Sequence, residues 1–259
     1  MNQHTTEMQG NGDAAGSAGP RVAVVTGASQ GLGRAVARAL AEQGWAVVVD
    51  ARHPVQLAAA VADIAAGVTA GGGRPVVVGI AGDVAEGGHR SALARAAADI
   101  GPVDLVVNNA STLGQSPLPS LSAIDADVLR AVFDVNVIAP IALVQALDAG
   151  LAAHATVVNI TSDAAVEAYA GWGGYGSSKA ALEHASRILS VERPDLRVLV
   201  VDPGDMRTQM HQDAFPGEDI SDRPEPDASV PGLLALIDGE QPSGRYEARA
   251  MALAEPRQS

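Results

Sequence analysis

Cysteine is absent from the 259 residues, so neither a disulfide nor thiolate chemistry is open to this chain. Histidine numbers six, with no H-x-x-x-H pair, and without cysteine no metal site is expected. No apolar run reaches the roughly 18 residues that a spanning helix needs, so no membrane partner is expected. Positive charge is also short. Seventeen basic residues face thirty acidic ones, a formal net charge of −13. That balance opposes binding to a phosphate backbone, where affinity comes from Lys and Arg, so no nucleic-acid partner is expected. Aromatic residues are few, and only three of them are tyrosines.

The scarcest residue present is lysine. Sixteen arginines carry almost all the positive charge, and Lys179 is the only lysine. It follows Tyr175 by four positions in Gly174-Tyr175-Gly176-Ser177-Ser178-Lys179. On a helix that spacing puts both side chains on one face. An ammonium is a compact point charge with three donors, whereas a guanidinium is a planar fork. A position that keeps lysine in an arginine-rich chain is a candidate for chemistry that needs an ammonium. The plain alternative is codon bias, because abundant Ala, Gly, Val and Arg is what a GC-rich genome gives.

Apolar patterning sets the fold class. Short β-branched runs lie at Val22–Val25, Ala46–Val49, Val76–Val78, Leu105–Val107, Thr156–Ile160 and Arg197–Val201. Runs apolar on both faces suit strands of a parallel sheet. Helical periods separate them at Gly33–Gln43, Pro54–Ala66, Gly87–Asp99, Ile124–Ala149 and Gly176–Val191. A last helix near Asp227–Leu236 and a last strand near Arg245–Ala248 complete the pattern. The alternation predicts an α/β fold, a Rossmann-like doubly wound parallel sheet in three layers, α/β/α. Residues 1–20 are polar, lack the basic start and apolar run of a signal peptide, and are expected to form a disordered tail. Residues 21–250 are expected to form one nucleotide-binding domain, with an acidic substrate loop at about 205–226 and a short tail at 251–259. The expected location is the cytoplasm.

The first strand runs into Thr26-Gly27-Ala28-Ser29-Gln30-Gly31-Leu32-Gly33 and then a helix. Strand, Gly-rich turn and helix N-terminus form the context for a dinucleotide pyrophosphate, because glycine lets the backbone approach and free N–H groups favour the anion. The second strand ends in Asp50-Ala51-Arg52. An acid here binds ribose hydroxyls of NAD, and an arginine accepts the 2′-phosphate of NADP. Arg52 is the first side chain free to reach outward, so NADP(H) is favoured and NAD(H) is left open. Asp83-Val84 follows the third strand, where a carboxylate suits an adenine amino group. Asn108, Asn109 and Ala110 follow the fourth, and both asparagines are equally suited to a turn.

Taken together these residues resemble the short-chain dehydrogenase/reductase family from Arg21 to about Ala248. The matching motifs, in the family's order, are T-G-x-x-x-G-x-G at Thr26–Gly33, Asp83-Val84, N-N-A at Asn108–Ala110, Asn136, Ser162, Y-x-x-x-K at Tyr175–Lys179 and Pro203-Gly204. Ser162 precedes Tyr175 by the family's usual interval. The resemblance implies an NADP(H)-linked carbonyl reductase or alcohol dehydrogenase acting on a small or medium carbonyl or alcohol, and a homodimer or homotetramer.

The resemblance also implies a set of roles. Tyr175 is the general acid in reduction, and Lys179 lowers its pKa from near 10 while holding the nicotinamide ribose. Ser162 holds the carbonyl oxygen, and Asn136 breaks helix bonding locally and positions a water. Gly27, Ser29, Gln30, Gly31, Leu32, Gly33, Arg52, Asp83, Val84, Asn109, Ala110, Pro203, Gly204, Met206 and Thr208 join Tyr175 and Lys179 in holding the cofactor. Rival readings stay open. Ser162 also suits a helix N-cap, and Asn136 a polar helix face. Tyr169 and Tyr246 are assigned to pocket wall and core, His154 and His184 to surface or packing, and Trp172 and Phe215 to an apolar pocket or to loop packing. A nucleotide-binding regulator without chemistry, or an epimerase or dehydratase, would use the same fold. Three departures from the family pattern stand out: Ser111 in place of Gly after N-N-A, the charged pair Asp205 and Arg207 beyond Pro203-Gly204, and the short C-terminal Pro242-Ser243-Gly244-Arg245-Tyr246.

Overall fold

A computed structural model describes residues 19–252. The expected N-terminal tail, apart from its last two residues, and all but the first two residues of the C-terminal tail lie outside that range. Seven strands form one sheet: β1 (Val22–Val25), β2 (Ala46–Ala51), β3 (Val77–Ala81), β4 (Val103–Asn108), β5 (Leu151–Ile160), β6 (Arg197–Asp202) and β7 (Gly244–Glu247). Their order is β3-β2-β1-β4-β5-β6-β7, and every pairing is parallel. The winding reverses between β1 and β4, and the crevice at such a switch point is where ligands bind in open α/β sheets.

Alternation along each strand builds the layers. Ala23, Val25, Val47 and Val49 point into one core, against α1 (Gly31–Glu42), α2 (Pro54–Ala70) and α8 (Val230–Asp238). Val22, Val24, Ala46 and Val48 point to the other, against α3 (Gly87–Ala98) and α5 (Ala139–Leu147). Both faces of β1 and β2 are therefore buried, which is why those segments read as continuous apolar runs.

Several boundaries differ from the sequence expectation. The helix expected over Ile124–Ala149 is broken into α4 (Ala126–Phe133), a π-helical turn at Asp134–Ile138, α5, and a 3₁₀ turn at Asp148–Gly150. Strand β5 begins at Leu151, five residues before the β-branched run, and pairs there with Val103. The helix expected at Asp227 opens as a 3₁₀ turn, Pro226–Ser229, before α8. The acidic loop contains a short helix, α7 (Gln209–Ala214). The remaining helices are α6 (Gly173–Glu192) and α9 (Ala248–Ala252).

Candidate active site

A cavity of about 1170 Å³ runs along the carboxyl ends of the strands, from the Gly-rich turn to Tyr175 and the acidic loop. That volume accommodates an extended ligand together with a second, smaller one. Of the candidate site residues, all but Gly33 and Asn136 line it.

At one end the turn after β1 is shaped by glycines. Gly27 and Gly31 have φ of +67° and +56°, a region that favours glycine. A Cβ at Gly33 would lie 2.4 Å from Asn109 Nδ2 and 2.5 Å from Gly27 O, so the helix start can pack here only as glycine. The turn is held from below. Thr26 Oγ1 accepts from the N–H groups of Asn109 and Ala110, both at 3.0 Å. Asn109 Nδ2 donates to Thr26 O at 2.8 Å and Gly27 O at 3.1 Å. Asn109 therefore acts on this turn, the role left open for it, and its amide nitrogen is spent there. The first N–H groups of α1 face the cavity without helix partners, as an anion site requires. This cradle, closed to any side chain larger than hydrogen at Gly33, fits a dinucleotide pyrophosphate.

The acid at the end of β2 is turned inward. Asp50 is 2% exposed; Oδ1 accepts from Gly27 N at 2.7 Å, and Oδ2 meets His89 Nε2 at 2.9 Å. Arg52 is exposed, lines the cavity, and makes no salt bridge among the described residues. His89 was not foreseen. It sits over Gly82, where a Cβ would lie 2.3 Å from its Nδ1, and no local sequence signal links it to Asp50. Asp83 Oδ1 accepts from Ala85 N at 2.9 Å, which fixes the Asp83-Val84 corner at the cavity edge.

At the other end α6 presents Tyr175 and Lys179 on one face. Lys179 is 2% exposed, and its Nζ donates to Ile160 O at 2.8 Å, at the end of β5. Nζ stands 5.5 Å from the Tyr175 ring centre. Burial pulls the Lys179 pKa down to about 8. The phenol corrects an expectation. Burial first, then the Asp202 carboxylate, push the Tyr175 pKa above its ordinary range, whereas a fall was expected from Lys179. The hydroxyls of Ser111 and Ser162 pull the other way without prevailing. The cause is dielectric: a phenolate in this wall loses more hydration than its neighbours return.

Ser162 follows β5 and is half-buried in the cavity wall. Its Oγ donates to Asp163 Oδ1 at 2.8 Å and accepts from Ala164 N at 3.2 Å, so it also caps the 3₁₀ turn Asp163–Ala165. Asn136 lies in the π-helical turn, 1% exposed. Its Oδ1 accepts from Thr112 N at 2.8 Å and Ser111 Oγ at 3.1 Å; its Nδ2 donates to Thr112 O at 2.9 Å and Ser178 Oγ at 3.0 Å. With the amide filled, any water held here must use the main chain of that turn. Ser111, a departure from the family pattern, thus anchors the Asn136 amide.

The walls beyond are aromatic. Trp172 packs edge-on to Tyr175 at 5.7 Å and against Phe215 at 5.8 Å, with Leu113 and Met210 nearby. Tyr169 lines the cavity, as expected, but is 47% exposed, with its hydroxyl donating to Asp163 Oδ2 at 3.0 Å. Tyr246 is half-buried at the edge of the core, with its hydroxyl on Pro242 O. Met206 and Thr208 line the start of the acidic loop beside Pro203 and Gly204.

Comparison with known proteins agrees with this geometry. A family model described as short chain dehydrogenase matches residues 21–219. An uncharacterized oxidoreductase of Methylorubrum extorquens is 34% identical over 192 residues, 73% of this chain and 74% of the relative. The L-xylo-3-hexulose reductase of Hypocrea jecorina is 30% identical over 250 residues, 85% and 77% of the two chains. Among solved structures, a short chain dehydrogenase from Escherichia coli complexed with NADPH superposes with a TM-score of 0.80 at 30% identity, covering 89% of this chain and 97% of that one.

Proposed function

The chain belongs to the short-chain dehydrogenase family of oxidoreductases, and from that premise we propose that it is an NADP(H)-dependent carbonyl reductase or alcohol dehydrogenase acting on a small or medium organic substrate. The observation that carries the reading is the convergence of Ser162, Tyr175 and Lys179 on one wall of a cavity whose far end is a glycine cradle.

A bound nicotinamide supplies the hydride. Tyr175 donates its phenolic proton to the carbonyl oxygen as negative charge develops there. The Ser162 hydroxyl turns from Asp163 to donate to the same oxygen, which orients the carbonyl and spreads its charge. Lys179 has one N–H committed to Ile160 O and keeps two donors for ribose hydroxyls. Trp172, Phe215 and Met210 exclude water and favour a substrate with an apolar body. Sequestration of Asp50 and exposure of Arg52 support NADP(H) over NAD(H). Arg52→Ala is expected to weaken NADPH binding about ten- to hundredfold, the scale of one charge-assisted hydrogen bond, with NADH little changed. Fluorescence titration with both coenzymes checks this, and equal losses would remove the assignment.

The test of the activity is NADPH consumption against a panel of ketones and aldehydes, with Tyr175→Phe as the control. Turnover lost in that variant supports the reading. Saturable NADPH binding without turnover points to a non-catalytic binder; a retained, unconsumed coenzyme points to an epimerase or dehydratase. We also read the protein as a cytoplasmic homodimer or homotetramer. Exposed Ile141 on α5 and Ile188 and Val191 on α6 are compatible with self-association, which light scattering decides. Among the described residues no helix is long and apolar enough to cross a membrane, and cell fractionation checks the location.

A further inference from the structure

The buried acid at the end of β2 has a partner that the glycine cradle does not account for. The side chain of His89 on α3 is only 6% exposed, and its Nε2 stands 2.9 Å from Asp50 Oδ2. An ionised carboxylate only accepts, so Nε2 carries the hydrogen. The other oxygen, Oδ1, accepts from Gly27 N at 2.7 Å, at the first glycine of the turn, whose φ is +67°. The main chain repeats the tie, because Ala28 N donates to Asp50 O at 2.8 Å. Room for the imidazole comes from Gly82, where a Cβ would lie 2.3 Å from Nδ1. That corner is itself fixed: Gly82 N donates to Ala51 O at 3.0 Å, and Arg90 Nη1 donates to Val84 O at 2.7 Å. Strand β2, the corner after β3 and α3 thus converge on one carboxylate.

Asp50 and Arg52 stand two residues apart, and both line the cavity. A bare negative charge at Asp50 would repel a phosphate and compete for the Arg52 guanidinium. An apolar side chain at position 89 would fill the space over Gly82 but leave a buried carboxylate with one N–H donor. We propose that His89 is a positioning residue for NADP(H): it holds the Asp50 carboxylate against the Gly-rich turn and screens its charge from the 2′-phosphate that Arg52 receives. This rests on the reading of Arg52 as the 2′-phosphate ligand.

The test is titration of the folded proteins with NADPH and NADH, followed by coenzyme fluorescence, with thermal unfolding measured alongside. His89→Leu should weaken NADPH binding at least about tenfold and NADH binding by clearly less, because NADPH carries the additional phosphate. His89→Gln keeps an N–H donor for Asp50 and should stay within about threefold of the parent. Asp50→Asn combined with His89→Leu removes the charge, while the Asn carbonyl can still accept from Gly27 N. That double variant should regain NADPH affinity to within about threefold of the parent. It also keeps the proposal testable if the buried charge prevents His89→Leu from folding. Parent-like NADPH affinity in His89→Leu overturns the proposal, as do equal losses of both coenzymes. A loss that persists in the double variant assigns His89 to packing and overturns it equally. A parent that binds NADH as tightly as NADPH removes the Arg52 reading instead, and the recovery of NADPH affinity in the double variant then still decides whether His89 governs Asp50.

Discussion

Lys179 carries two opposed demands. The proposed reaction calls for its ammonium, and the interior penalises it: at 2% exposure its pKa falls to about 8, against an ordinary 10.5. The unfolded chain therefore binds more protons than the folded one between those two values. Stability from this group rises as the pH climbs through that window and is lowest, and constant, below it. Lys179→Met removes the cost but strands Ile160 O without its donor. The net expectation at pH 7 is a gain of about 1 kcal/mol, or roughly 2–4 °C in Tm, that shrinks as the pH approaches about 10. Thermal unfolding of both proteins across that range checks it, and a gap that widens with pH would be the wrong sign. Tyr175, Lys179 and Ser162 were legible in the sequence because their spacing survives folding. The electrostatic balance at Tyr175 was not, because it depends on how deeply the ring is buried and on Asp202, which is distant in sequence.

At the scale of elements, the Gly-rich turn and α6 do most of the positioning. Gly33→Ala would press a Cβ against Asn109 Nδ2 and the Gly27 carbonyl, and the latter is backbone that cannot swing aside. NADPH affinity is expected to fall at least about tenfold, and titration of the folded variant with NADPH at unchanged affinity would contradict this account of the turn. Strands β1, β2 and β6 were readable because burial on both faces leaves unbroken apolar runs, with Asp50, Arg197 and Asp202 only at or next to the strand ends. The break at Asp134–Ile138 was not readable from propensity, since Val135, Asn136 and Val137 are compatible with an unbroken helix; the family resemblance alone pointed to a local interruption at Asn136. The side-chain bonds of Asn136 to Thr112 and Ser178 tie the break to the loop after β4 and to α6, and both are tertiary contacts. The early start of β5 has a similar cause: Ala152 and Ala153 carry no strand signal, and pairing with β4 decides the matter.

In the whole molecule, the doubly wound sheet gathers the ends of β1, β2, β4, β5 and β6 around one crevice, so residues from Gly27 to Thr208 share a single cavity. The ties that close it are long-range. Asp50 to His89, and Arg245 to Glu183 and Asp202, join elements far apart in the chain, and for that reason no sequence motif marked them. Arg245→Leu leaves two buried carboxylates without their cation. A loss of about 1–3 kcal/mol is expected, with the lower part of that range reflecting the partly exposed guanidinium. Urea denaturation measures it, and a variant as stable as the parent would show the tie to be dispensable. The central claim is that this crevice reduces carbonyls with a proton from Tyr175 and an ammonium at position 179. Its most direct test is the turnover of Lys179→Arg against the parent, on the best ketone or aldehyde with NADPH, at matched folded content. The account predicts a loss of at least about a hundredfold, because a planar guanidinium cannot occupy the buried point-charge site beside Ile160 O. Turnover within about twofold of the parent would contradict it.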